Sequence, residues 1–333
     1  MHDVRSQLST FVFYATLLVV LCHVNFWSHR MGWALNDFVQ AFAAANVSNF
    51  FFLSGFFLAK RSGEAGWYKA ALMKRVRTLV IPYLLWCALF AVIWFALDCA
   101  GVIPAPCNVF DPRFVFGIGF PPPFPVDLPL WYLRMLVVFV VVSPIFFYLM
   151  KKSRFALPAL VAGLWIVALG CPRLGHSMAI FHCVGFSCFL LGAQMAFSER
   201  WRDFVLSKGK VGWWLWLLVW LALAVVLALS GGACRNAVKV IVVVFSVLCL
   251  QRIVANSSWR APDFVVKSAF VVYALHWMVI RLLSHGLEDF VAAAPVASFI
   301  VIFVLTVVIC LAAAIGLRKT LSRFAALLTG GRS

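Results

Sequence analysis

Acidic residues are scarce in this chain: 11 Asp and Glu stand against 28 Lys and Arg. Charge of either sign makes up only 12% of the 333 residues, about half of the roughly 25% carried by a soluble globular domain. Long polar stretches are missing as well, and with them any separate soluble domain. No heptad and no fixed-period repeat is present, which excludes coiled coils and solenoids. No Gly-rich phosphate loop occurs, so any phosphate would have to be held by cationic side chains rather than by a backbone cradle. The ten cysteines include no Cys-x-x-Cys pair. Most lie inside apolar runs, where a thiol behaves as a small hydrophobe, while Cys107, with Cys99, Cys171 and Cys234 near the outer ends, could form bridges, Cys99–Cys107 being one such pair.

What is abundant is apolar surface. Hydrophobic residues make up 65% of the chain and the mean hydropathy is +1.01, so the side chains have nowhere to go but lipid. Apolar runs of spanning length recur near residues 11–28, 38–59, 79–101, 130–150, 155–171, 179–197, 212–230, 237–254, 268–285 and 296–317. This pattern predicts a single all-α integral membrane domain over residues 1–333 with about ten transmembrane helices. Alternating the loops between two faces puts 21 of the 28 Lys and Arg on one side and seven on the other, so both termini are expected in the cytoplasm. The net charge of +17 is then a matter of topology, and no nucleic-acid partner is expected. The first apolar run could mimic a secretory signal, but the polar stretch from Asn25 to Asp37 is too long for a cleavage region. It reads as a retained helix in the plasma or inner membrane.

The longest outer segment, residues 102–129, holds eight of the 14 prolines and cannot be a regular helix. It is either a linker or a lid over an acceptor site. Inside the spans, ionisable groups are costly and so point to function. His23 lies about twelve residues into the first span and His276 about eight into the ninth, which also starts inside, so the two imidazoles are expected at similar depth. Neutral imidazole suits a general base in a low dielectric. His182 is nearer the cytoplasm and reads as structural. Ser54 and Gly55 interrupt the aromatic run Phe50-Phe-Phe-Leu-Ser-Gly-Phe-Phe-Leu, where Gly55 permits close approach of a helix or a ligand. The cytoplasmic loop then ends in Lys74-Arg75-Val76-Arg77. Those three cations either anchor the topology or hold the phosphates of a cytoplasmic cofactor.

These stretches, together with Thr78-Leu-Val-Ile-Pro-Tyr83, Leu130-Trp131-Tyr132-Leu133-Arg134 and Phe270-Val-Val-Tyr273-Ala-Leu-His276, stand in an order and at separations that resemble the membrane-bound acyltransferase family 3 across essentially the whole chain. The resemblance implies an enzyme taking acyl groups from cytoplasmic acyl-CoA and delivering them to hydroxyls of cell-surface or lipid-linked glycans, with membrane lipid around it and no permanently bound cofactor or metal. His23 would match the family's essential histidine, Arg75 and Arg77 its cytoplasmic basic motif, and Trp131 the tryptophan opening the fourth span. Two features depart from the pattern. Phe11 and Val12 stand where many relatives carry an Arg, and Tyr132 and Leu136 replace the Ser and Glu of one well-known branch.

The chemistry expected is attack of an acceptor hydroxyl on the thioester carbonyl, with His23 as base and either His276 or Ser54 orienting it or donating to the oxyanion. An acyl-enzyme route fits equally. Lys74, Arg75 and Arg77 would hold the acyl-CoA donor, and acetyl is the simplest acyl group. On the outer face Trp131, Asp127 and Arg134 would meet the acceptor, with Asp111 and Arg113 nearby in the loop. A small-solute or glycolipid transporter would use the same buried polar groups, but the paired broken segments of two matching halves are not evident.

Overall fold

The computed structural model describes residues 2–27, 33–119, 124–153, 155–170, 176–231 and 234–331. Among these, every regular element is helical. In chain order the α-helices are α1 (His2–Trp27), α2 (Trp33–Phe42), α3 (Ser48–Lys60), α4 (Trp67–Arg75), α5 (Ile81–Cys99), α6 (Pro112–Val115), α7 (Trp131–Lys152), α8 (Ala156–Gly170) and α9 (His176–Phe197). They continue as α10 (Glu199–Leu206), α11 (Trp213–Leu229), α12 (Cys234–Asn256), α13 (Asp263–Gly286), α14 (Glu288–Ala293), α15 (Pro295–Thr320) and α16 (Ser322–Thr329). Seven helical stretches among the described residues are long and apolar enough to cross a membrane, and three shorter apolar helices occupy 156–166, 182–197 and 213–229. Each falls on one of the runs read from the sequence, so the chain is an all-α integral membrane protein.

α15 shows the membrane pattern most plainly. Its buried positions are Ser298, Ile302, Thr306, Cys310 and Ala314, four residues apart and mostly small or polar. Ile300, Val304 and Val308 on the other face are exposed. A soluble helix hides its apolar stripe; here the apolar stripe faces outward and the small residues face protein, as helix packing in lipid requires.

The chain divides into two compact units, residues 1–69 with 139–266 and residues 70–138 with 267–333. In the first, α3 and α9 pack at very close range. A Cβ on Gly55 would run into the Phe189 carbonyl, and one on Gly192 into the Phe52 carbonyl. Phe51, Phe139, Phe186 and Phe189 fill the space beside that contact, with ring centroids 4.6–6.1 Å apart. At one end of this unit Arg252 donates to Ser207 O at 3.0 Å and stacks on Phe204, tying α12 to the chain following α10.

Residues 67–99 form one continuous helical stretch, in the second unit from Ala70 onward, so the basic cluster expected at the end of a loop is helical instead. Nothing between Trp67 and Ile81 breaks a helix, and Pro82 falls in the first turn of α5. Lacking an N–H, Pro82 cannot bond the carbonyl four residues back, at Thr78. The turn widens there into a π-helix over Val76–Val80, the single-turn form found frequently at functional sites. α16 docks on this turn: Trp86 Nε1 donates to Leu328 O at 3.0 Å, and Gly330, with φ +62, leaves no room for a Cβ against Thr78.

Gly55→Ala should lower the stability of the detergent-solubilised protein by about 1–3 kcal/mol, the usual cost of overpacking. Gly163→Ala in α8, where a Cβ meets nothing within 4 Å, should leave it unchanged or slightly raised. Thermal melts of the two variants check this.

Candidate functional site

The proline-rich segment 102–130 is ordered by two short helical turns, at Pro112–Val115 and Leu128–Leu130, and by side chains that hold the backbone between them. Asp111 caps α6 by accepting from Arg113 N at 2.9 Å, and its carboxylate also holds the Arg113 guanidinium at 2.7 Å. The two loop groups expected to meet an acceptor therefore hold each other. The segment then runs back along α5. Phe110 packs edge-on against Phe95, and Phe116 O accepts from Tyr83 OH at 2.6 Å. Phe95 and Tyr83 are separated by about 18 Å of helix.

Two further donors fix this backbone. Arg134 on α7 donates to Gly117 O, at a turn where φ is +56, a conformation glycine adopts without strain. Tyr273 on α13 donates to Pro129 O. The result carries Asp127 into the interior of the unit, where it is 0% exposed. Neither carboxylate oxygen has a hydrogen-bond partner among the described residues. Burial holds the Asp127 carboxyl well above the usual carboxylate range, because desolvation penalises the charged form. Cys87 and Tyr273 lie within its electrostatic reach. In its protonated form, which this shift favours, such a group has one O–H to donate and lone pairs to accept. Trp131 is also buried, at 7% exposure, so its ring is packed into the unit rather than offered on its surface.

Both histidines are held in one tautomer by their own helices. His23 Nδ1 lies 2.9 Å from Val19 O; a carbonyl only accepts, so Nδ1 carries the proton and Nε2 the lone pair. His276 is fully buried, with Nδ1 at 2.6 Å from Tyr273 O and 3.2 Å from Val272 O, which sets the same tautomer. His23 belongs to the first unit and His276 to the second. Ser54 is half-buried beside the tightly packed Gly55. Of the basic cluster, Lys74 and Arg77 are exposed, while Arg75 is half-buried and within electrostatic reach of the Tyr132 phenol. Cys99 and Cys107 are both free thiols.

Sequence reasoning gave no role to Tyr83, Cys87 or Tyr273. The signal was there in part: Tyr83 and Tyr273 are phenols inside the very motifs that carry the resemblance, and a buried Tyr usually needs a partner.

A family model described as an acyltransferase domain matches residues 13–315. The succinoglycan biosynthesis protein ExoH of Rhizobium meliloti (strain 1021) is 28% identical over 159 residues, 43% of this chain and 43% of ExoH. The matched stretch thus spans less than half of that relative's length. No solved structure matches the chain.

The buried Asp127 carboxyl makes a pH-dependent prediction. Its folded pKa is raised, so the stability it contributes is complete below the unfolded value near 3.9 and is lost as pH rises toward the folded value. Asp127→Asn has no such loss. The stability of the variant should match wild type near pH 4 and exceed it increasingly toward pH 7, by up to about 1.4 kcal/mol per pH unit in that window; paired thermal melts across this range, read as a widening Tm gap, measure it.

Proposed function

Because the chain belongs to the acyltransferase family whose domain model covers residues 13–315, we propose that it is a multi-pass O-acyltransferase of the plasma or inner membrane. It moves an acyl group, acetyl in the simplest case, from cytoplasmic acyl-CoA to a hydroxyl of a cell-surface or lipid-linked glycan. The glycan acceptor is supported by the ExoH relative, which carries succinoglycan biosynthesis in its name. The observation that carries the mechanism is the His23 tautomer, with Nδ1 committed to Val19 O and the basic lone pair therefore on Nε2.

In this mechanism His23 Nε2 takes the proton of the acceptor hydroxyl as its oxygen attacks the thioester carbonyl. The C–S bond then breaks, His23 Nε2 gives that proton to the leaving sulfur, and the coenzyme departs as a thiol. His276, holding its own proton toward its helix, is an acceptor at Nε2 while neutral and donates to an oxyanion only after taking up a proton. The Ser54 hydroxyl donates without that step. A direct transfer and an acyl-enzyme route both satisfy this arrangement. Lys74, Arg75 and Arg77 bind the donor's phosphates. The exposed pair meets them as they approach from the cytoplasm, and Arg75 lies further in. On the acceptor side, sugar hydroxyls that reach the proline-rich segment meet Arg134, while Asp127 and Trp131, both buried, support that segment from inside the unit.

His23→Ala should leave the protein inserted while glycan acylation falls by about 10²-fold or more, the scale of a lost general base. Mass spectrometry of surface glycans, read for the increment of an acetyl or a succinyl group, measures it. Full acylation by an inserted variant would remove His23 from the mechanism. Arg75→Lys with Arg77→Lys should insert normally yet weaken acyl-CoA saturation about tenfold or more, since a point charge does not replace a bidentate fork. Unchanged donor saturation would return the cluster to topology alone.

A further inference from the structure

At the end of α12 three side chains grip the connection between α10 and α11. Gln251 Nε2 donates to Val205 O, and Arg252 Nη1 donates to Phe204 O and Ser207 O. Asn256 holds both sides of the turn that follows: its Oδ1 accepts from Gly209 N at 2.7 Å and its Nδ2 donates to Val211 O at 2.8 Å. A Cβ on Gly209 would collide with Arg252 Nη2, so the guanidinium lies directly beneath the turn. Lys208 and Lys210 flank Gly209, and both are exposed.

Arg252 is only 3% exposed, yet no carboxylate among the described residues pairs with it, with Lys208 or with Lys210. Backbone carbonyls and the Phe204 ring, 4.6 Å away, solvate the guanidinium without cancelling its charge. Residues 199–210 together with Arg252 carry five cations against Glu199 and Asp203, and Glu199 is engaged with Arg202. Just past the turn α11 opens with Trp213 and Trp214, both exposed. The Trp214 indole nitrogen would stand 2.6 Å from a Cβ on Gly212, so that ring folds back toward the turn. Leu218 and Val225, also exposed, continue its face along the helix. Tryptophan of this kind marks the headgroup level of a bilayer, which puts Lys208 and Lys210 among the lipid phosphates.

We propose that this turn is a headgroup site for an anionic phospholipid. Lys208 and Lys210 meet the phosphate, Arg252 adds its charge from beneath, and the acyl chains lie along the exposed face of α11 past Trp214. A soluble anion would find the same cations but gain nothing from the apolar face, and that face selects the lipid. The site stands apart from the acyl-transfer reading.

Native mass spectrometry of the purified full-length protein in detergent, titrated with dioleoylphosphatidylglycerol or dioleoylphosphatidylcholine, tests this. The first phosphatidylglycerol should bind about tenfold more tightly than phosphatidylcholine or better. Lys208→Gln with Lys210→Gln should remove most of that preference, the scale expected for two cations near a lipid surface, whereas Lys208→Arg with Lys210→Arg should keep it. Lys60→Gln with Lys69→Gln, the same loss of charge at exposed positions elsewhere in this unit, should keep it too. Equal binding of the two lipids, or an equal loss in both glutamine pairs, overturns the site. Displacement of bound phosphatidylglycerol by inorganic phosphate or by coenzyme A overturns the lipid assignment, because a soluble anion would then suffice.

Discussion

Three side-chain donors from three helices hold the longest irregular segment among the described residues. Tyr83 on α5, Arg134 on α7 and Tyr273 on α13 each donate to a backbone carbonyl of the stretch between Phe116 and Pro129. Beside a membrane-spanning helix, non-helical backbone is tolerated only where protein or enclosed water satisfies its polar groups. A segment so rich in proline satisfies its backbone only in part through its own short turns, because each proline removes a donor and excludes a regular helix. The three donors meet that requirement, and the path they impose buries Asp127. The carboxyl is thus a consequence of how the loop is secured, and its neutral state follows from where the loop puts it.

The same economy recurs elsewhere. Pro82 deletes one backbone bond, the helix widens into a π-turn at Val76–Val80, and α16 packs on that turn through Trp86 and Gly330. Gly55 and Gly192 let α3 and α9 approach until backbone meets backbone, which assigns the glycine of the aromatic run to helix packing. Each unit carries its own chemical resource. The first has an imidazole in a fixed tautomer. The second has a neutral acid, two phenols and a half-buried arginine.

The spans were legible in the sequence because lipid leaves a simple signature: apolar runs of fixed length, with cations gathered at alternate ends. The basic cluster was legible as residue types but not as a helix, since its charges look like a loop and the continuity from Trp67 depends on how Pro82 is accommodated. Asp127 was read as a loop group open to the outer face, and Trp131 as a stacking surface. Both are buried, because the segment folds back along α5 through donors far away in the chain. No local pattern announces that path. Tyr273 and Pro129 are 144 residues apart, and only the fold brings the phenol to the carbonyl.

The central claim is that the secured loop holds a neutral carboxyl group inside the second unit. Asp127 is the only acidic residue among the described residues that is buried from solvent, so its vibrational signal is separable from the rest. The most direct measurement is the infrared difference spectrum between wild type and Asp127→Asn at pH 7 in lipid nanodiscs. The account predicts a carbonyl stretch of a protonated carboxylic acid in the wild type that vanishes in the variant. A difference spectrum showing only the loss of carboxylate bands, with no protonated acid, would contradict it.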